Sequence, residues 1–114
     1  MILTVFIIGC QTDLEVKVTV PNGGHIDPFF DRIAVSVTNV SEKSKKDIDL
    51  EIVIPGDNYK DYTSFEKIEY LGPGETETVV FSLFGIPSGR YELTANARWG
   101  HWIASDTCRI IVTD

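Results

Sequence analysis

Along much of the chain, apolar and polar positions alternate with a period of two, the spacing of a strand that buries one face and leaves the other in water. Leu14, Val16, Val18 and Val20 alternate with Glu15, Lys17 and Thr19, and Pro21-Asn22-Gly23-Gly24 closes the run as a turn. Ile33, Val35 and Val37 form a second inward series that ends at Asn39, and Ile48, Leu50, Ile52 and Ile54 form a third with Asp47, Asp49 and Glu51 outside. Val79, Phe81 and Leu83 and then Tyr91, Leu93, Ala95, Ala97 and Trp99 follow on either side of Pro87-Ser88-Gly89. These last two series, in the stretch Leu71–Trp99, are read as a pair of strands joined by a tight connection, around which the other strands assemble. Cys108, Ile110 and Val112 share one face of a last strand over Asp106–Val112.

Between these runs lie breakers. Leu71-Gly72-Pro73-Gly74 reads as a turn, with Pro73 presetting φ and Gly74 free to adopt a positive one. Ser41–Lys46 reads as a charged hairpin tip, Asp57–Thr63 as a loop, and Phe65, Ile68, Tyr70 and Leu71 as a short irregular strand. His25–Asp31 is a loop whose Phe29-Phe30 are expected to tuck under one end of the fold. No segment carries a helical period. About seven short strands separated by turn signals predict an all-β fold, an antiparallel immunoglobulin-like β-sandwich. A Tyr just after a turn at the start of the penultimate strand, here Gly89-Arg90-Tyr91, fits the tyrosine corner of such folds.

A chain of 114 residues accommodates one core, so residues 11–114 are read as one domain. Its 10 Lys and Arg against 17 Asp and Glu give a net charge of −7, which repels phosphate backbones and argues against a nucleic-acid partner. No run approaches the roughly 20 apolar residues of a spanning helix. Residues 1–10, MILTVFIIGC, are apolar without alternation and stop at Gly9-Cys10, which resembles the end of a lipoprotein signal with Cys10 as the lipidated residue; the alternative is an apolar tail or edge strand. Cys10 and Cys108 leave three readings open: a disulfide, two free thiols, or a modified Cys10 with Cys108 a small residue packed on the last strand.

The strand Ile33–Asn39, the segment Ile68–Thr76 (IEYLGPGET), Val79-Val80-Phe81 and Gly89–Leu93 together resemble the CARDB group, cell-adhesion-related domains of bacteria and archaea with an immunoglobulin or fibronectin type III-like sandwich. The resemblance implies an extracytoplasmic, cell-surface or secreted binding or structural module without catalysis or cofactor, whose partner is a protein or a carbohydrate at the cell surface. Contact with a membrane then runs only through a lipid on Cys10.

The chemistry on offer is sparse. His25 and His101 lack a nucleophile and orienting group with motif spacing, and Ser105 and Asp106 beside His101 point to opposite faces of a strand, so no enzyme is expected. Asp57, Asn58 and Asp61 offer oxygen ligands to calcium but lack the spacing of a dedicated calcium loop, and a solvated loop is the plainer reading. Trp99, His101 and Trp102 form the best candidate contact, because Trp joins a large apolar area to a polar N–H. Trp99 equally continues the inward series from Tyr91, in which case it is core and Trp102 stands alone at the surface. Asn39-Val40-Ser41 is a glycosylation acceptor triplet. A second reading of a different kind is an inhibitor or regulator of an extracellular enzyme, acting through Arg98–Ser105.

Overall fold

The computed structural model of the protein describes residues 13–56 and 61–113. Two sheets pack face to face. The smaller is ordered β1-β3-β6, from Leu14–Thr19 (β1), Arg32–Asn39 (β3) and Thr76–Ser82 (β6). The larger is ordered β2-β8-β7-β4-β5, from His25–Ile26 (β2), Lys45–Ile54 (β4), Tyr62–Leu71 (β5), Gly89–Trp99 (β7) and Trp102–Val112 (β8). The architecture is the all-β sandwich that the alternating pattern predicts. All pairings are antiparallel except that of β2 with β8, which is parallel over two register positions, His25↔Ile111 and Ile26↔Val112.

The alternating series supply the core. Ile33, Val35, Val37, Ile48, Leu50, Ile52, Leu93, Ala95 and Ala97 have no solvent exposure, and they interdigitate across the two sheets. Each large aliphatic chain so buried contributes about 1.5–3 kcal/mol. Ala95 and Ala97 stand beside Ile52 and Leu50 in the ladder of the larger sheet.

Several connections differ from the expected ones. β6 and β7 lie in different sheets, so Leu83–Ser88 is a crossing from one layer to the other and not a hairpin. Residues 40–44 likewise carry the chain from β3 in one sheet to β4 in the other. β5 extends over ten residues, beginning at Tyr62 inside the expected loop, and β8 begins at Trp102, four residues before Asp106. Phe29 and Phe30 do not tuck under the fold; they stand 62% and 81% exposed.

Asn39 organises one pole. Its side chain is fully buried, its Nδ2 donates to the carbonyls of Lys43 (2.8 Å) and Leu71 (2.9 Å), and its Oδ1 accepts from the N–H (3.0 Å) and Oγ (2.7 Å) of Ser41. Both layer crossings at this pole thus hang on one amide, and the acceptor triplet is a structural feature rather than an exposed modification site. Next to it, Gly72–Glu75 is a turn closed by Glu75 N–H to Gly72 O at 3.1 Å, with Pro73 first and Gly74 at φ +77° second, the pattern of a type II turn. Gly74 N–H in turn donates to Asn39 O at 2.7 Å. Asp13 enters at the same pole, pairing with Lys45 at 2.8 Å.

Candidate functional site

The β7–β8 hairpin projects from this pole. Eleven register pairs run from Gly89↔Val112 to Trp99↔Trp102, and Gly100 and His101 make the two-residue connection. Gly100 has φ +60° at the first central position, where a glycine suits the primed turns whose twist matches that of the flanking strands. The two tryptophans face each other across the ladder and fare differently. Trp99 is 8% exposed and closes the core behind Ala97, whereas Trp102 is 64% exposed, with exposed His101 beside it and Ile103 at 44%. The hairpin therefore offers one tryptophan to solvent and not a platform of two.

The other sequence-selected residues are scattered. His25 lies on β2 at the pole opposite His101, so the two histidines do not converge. Ser105 Oγ donates to Asn96 Oδ1 at 2.5 Å on the outer face, while the Asp106 carboxylate turns to the other side and accepts the N–H of Val18 at 2.9 Å. Neither is placed to serve His101. Asp61 accepts the N–H of Gly56 at 3.3 Å, which closes its loop; Asp57 and Asn58 lie outside the described residues, as do Cys10 and the whole of 1–10. Among the described residues no group of three or more His, Cys, Asp or Glu is placed to hold a metal ion. Cys108 is a free thiol, half-buried, and its pKa is pushed up by that burial and further by the negative charge of Asp106. The Tyr91 hydroxyl donates to Pro87 O at 2.7 Å and ties the layer crossing to β7. Gly89 has φ +151°, a backbone conformation that suits glycine, and a Cβ there would make ordinary contact with the Tyr91 hydroxyl oxygen at 3.4 Å.

Two surfaces carry residues that the alternating pattern did not single out. On the outer face of the larger sheet, Asp49, Glu51, Phe65, Glu66, Lys67 and Arg98 line a shallow trough of about 510 Å³. Glu51 Oε1 accepts from Arg98 Nη2 (3.1 Å) and Asn96 Nδ2 (3.2 Å), so its charge is neutralised in place. At the pole opposite the hairpin, Phe29, Phe30 and Phe84 are 62%, 81% and 63% exposed, and Phe29 meets Phe84 edge to face with centroids 5.4 Å apart. The three rings lie inside DPFFD and FGIP, loop segments with no alternating pattern to say which apolar residues turn in, as Ile86 does, and which turn out.

With this geometry in view, no family model and no curated protein sequence matches the chain. Solved structures do. The CARDB domain of a Pyrococcus furiosus protein, crystallised in complex with di-metal ions, is 21% identical, with a TM-score of 0.62 over 89% of this chain and 88% of that one. The solution structure of the same domain gives 19% identity and a TM-score of 0.60 over 89% and 96%. The sporulation control protein of Bacillus subtilis is 16% identical with a TM-score of 0.57, and the match spans 91% of this chain but 51% of that one. A β-glucosidase from Listeria innocua, solved with laminaribiose, matches over 16% of its own length with a TM-score of 0.61. The chain has a CARDB-like fold.

Proposed function

We propose that the protein is a non-catalytic, extracytoplasmic module that captures a protein or a carbohydrate at the cell surface through its strand-connecting loops, with the β7–β8 hairpin as the contact. The observation that carries this reading is Trp102, 64% exposed at the start of β8 beside a two-residue turn. An exposed tryptophan on a rigid ladder offers a large contact area at little ordering cost on binding. The likeness to CARDB domains supports a binding or structural module, although a fold alone does not select a ligand. Export, and a lipid tether at Cys10, rest on the sequence of residues 1–10 and are tested by the mass of the amino-terminal peptide from the native protein.

The hairpin is tested by Trp102→Ala. Wild-type and variant chains are presented to cell-surface extracts and to a glycan array, and thermal unfolding is recorded in parallel. Loss of a retained partner at an unchanged melting temperature supports the contact. Equal retention by both chains refutes it.

A further inference from the structure

We propose that the phenylalanine rim at the opposite pole, Phe29 and Phe30 on the β2–β3 loop with Phe84 on the β6–β7 crossing, inserts into a zwitterionic phospholipid bilayer. The site is separate from the hairpin and goes beyond the reading above. Large apolar side chains gathered in the open on a folded domain mark a contact surface. Three rings of roughly 200 Å² each, about two-thirds exposed, present roughly 400 Å², about half of the ~800 Å² per partner of a stable protein interface. A second copy of the chain is thus poorly served by them.

Six N–H groups of the rim are bonded within its own two loops. A loop entering hydrocarbon must satisfy its own polar groups. Here the Asp27 N–H donates to Asp31 Oδ2 (2.8 Å), Phe29 N–H to Asp27 Oδ1 (3.0 Å), and Phe30 and Asp31 N–H to Asp27 O (3.1 and 2.8 Å). On the second loop Phe84 N–H donates to Ser82 Oγ (3.2 Å) and Ile86 N–H to Leu83 O (3.2 Å), while Pro28 and Pro87 have no N–H to satisfy. The same bonds turn both aspartates into the loop. Charge complementarity agrees with a headgroup layer: the cations that follow the two loops, Arg32 and Arg90, are exposed and join no ion pair among the described residues. The net charge of −7 disfavours an anionic surface.

The test uses the full chain carrying Cys10→Ser, sedimented with phosphatidylcholine vesicles and, separately, with vesicles containing phosphatidylglycerol. The expected result is partition onto phosphatidylcholine that survives raised salt, falls at least tenfold in the double variant Phe30→Ala/Phe84→Ala, and persists in Trp102→Ala. Phe30→Ser alone, at the most exposed ring, lowers partition without moving the melting temperature and serves if the double variant fails to fold. A wild-type chain that stays in the supernatant, partition confined to anionic vesicles, or variants that sediment like wild type overturn the proposal. Loss of a soluble protein partner in the Phe30 variant without vesicle binding also overturns it and marks the rim as a protein contact.

Discussion

The carboxylate of Asp106 on β8 accepts the backbone N–H of Val18 on β1 at 2.9 Å, joining two sheets that share no backbone ladder. β1 is the edge of its sheet, and β8 is covered by β2 at only two register positions, so these two edges meet along one side of the sandwich. One charged side chain takes the place of a strand partner and gives the β1 edge a bond that water or another chain would otherwise supply.

Asp106→Ala is therefore expected to cost about 1.5–3 kcal/mol, the range for a hydrogen bond to a charged group, read as a lower urea midpoint with an unchanged slope. Asp106→Asn keeps an acceptor and is expected to lose less. An unchanged midpoint for Asp106→Ala means that water replaces the bond.

The same carboxylate acts on Cys108. Burial first and the Asp106 charge second hold the thiol above its ordinary pKa, so the thiolate is scarce near neutral pH and alkylation is slow. Removing the charge in Asp106→Asn is expected to shift the pH profile of iodoacetamide labelling to lower pH, part of the way back, because the burial contribution stays. Since the folded thiol binds its proton more tightly than the unfolded one, this group's contribution to stability falls as pH rises through the interval between the two pKa values. Identical labelling profiles for both chains contradict the assignment.

The Asn39 amide holds four side-chain hydrogen bonds with no exposure. Asn39→Ala leaves the carbonyls of Leu71 and Lys43 and the Ser41 groups short of partners, and a loss of about 2–4 kcal/mol is expected in denaturant unfolding. Asn39→Asp loses comparably, since two carbonyl acceptors then face an acceptor. A loss under ~1 kcal/mol for either variant rules out the role given to Asn39 in both crossings.

How far these features could be read from the chain depends on which signal carries them. The runs at 33–38, 48–54 and 91–99 each bury one face of one sheet, so alternation shows the fold class and most of the core directly. Alternation gives a face and not a partner, which is why the links β3–β4 and β6–β7 read as hairpins when both cross between layers. β2 is two residues long and leaves no period to detect. Asn39 has the appearance of a turn residue or a glycan acceptor because its bonds reach 32 residues along the chain, to Leu71. Phe29, Phe30 and Phe84 sit in loops, where an apolar residue carries no sign of whether it points in or out.

At the layer crossing into β7, Tyr91→Phe removes the bond to Pro87 O and is expected to cost about 0.5–1.5 kcal/mol. Gly89→Ala is expected to cost more, about 1–3 kcal/mol, because an alanine strains at φ +151°, although its Cβ would make only ordinary contact with the Tyr91 ring. Urea unfolding of both variants checks the order, and a reversed order shows that the hydrogen bond and not the backbone governs this corner.

The two tryptophans of the hairpin give the sharpest contrast. Trp99 is 8% exposed and Trp102 64%, although they are direct register partners across a two-residue turn. Trp99→Ala opens a cavity at the end of the core and is expected to cost about 3–5 kcal/mol, whereas Trp102→Ala removes mostly hydrated surface and is expected to cost under ~1 kcal/mol. Fluorescence separates them without any partner: in Trp102→Phe the remaining emission comes from Trp99, blue-shifted and poorly quenched by iodide, and in Trp99→Phe it comes from Trp102, red-shifted and readily quenched. Equal quenching in the two variants contradicts the asymmetry, and with it the view that the hairpin spends one indole on the core and leaves the other for a partner.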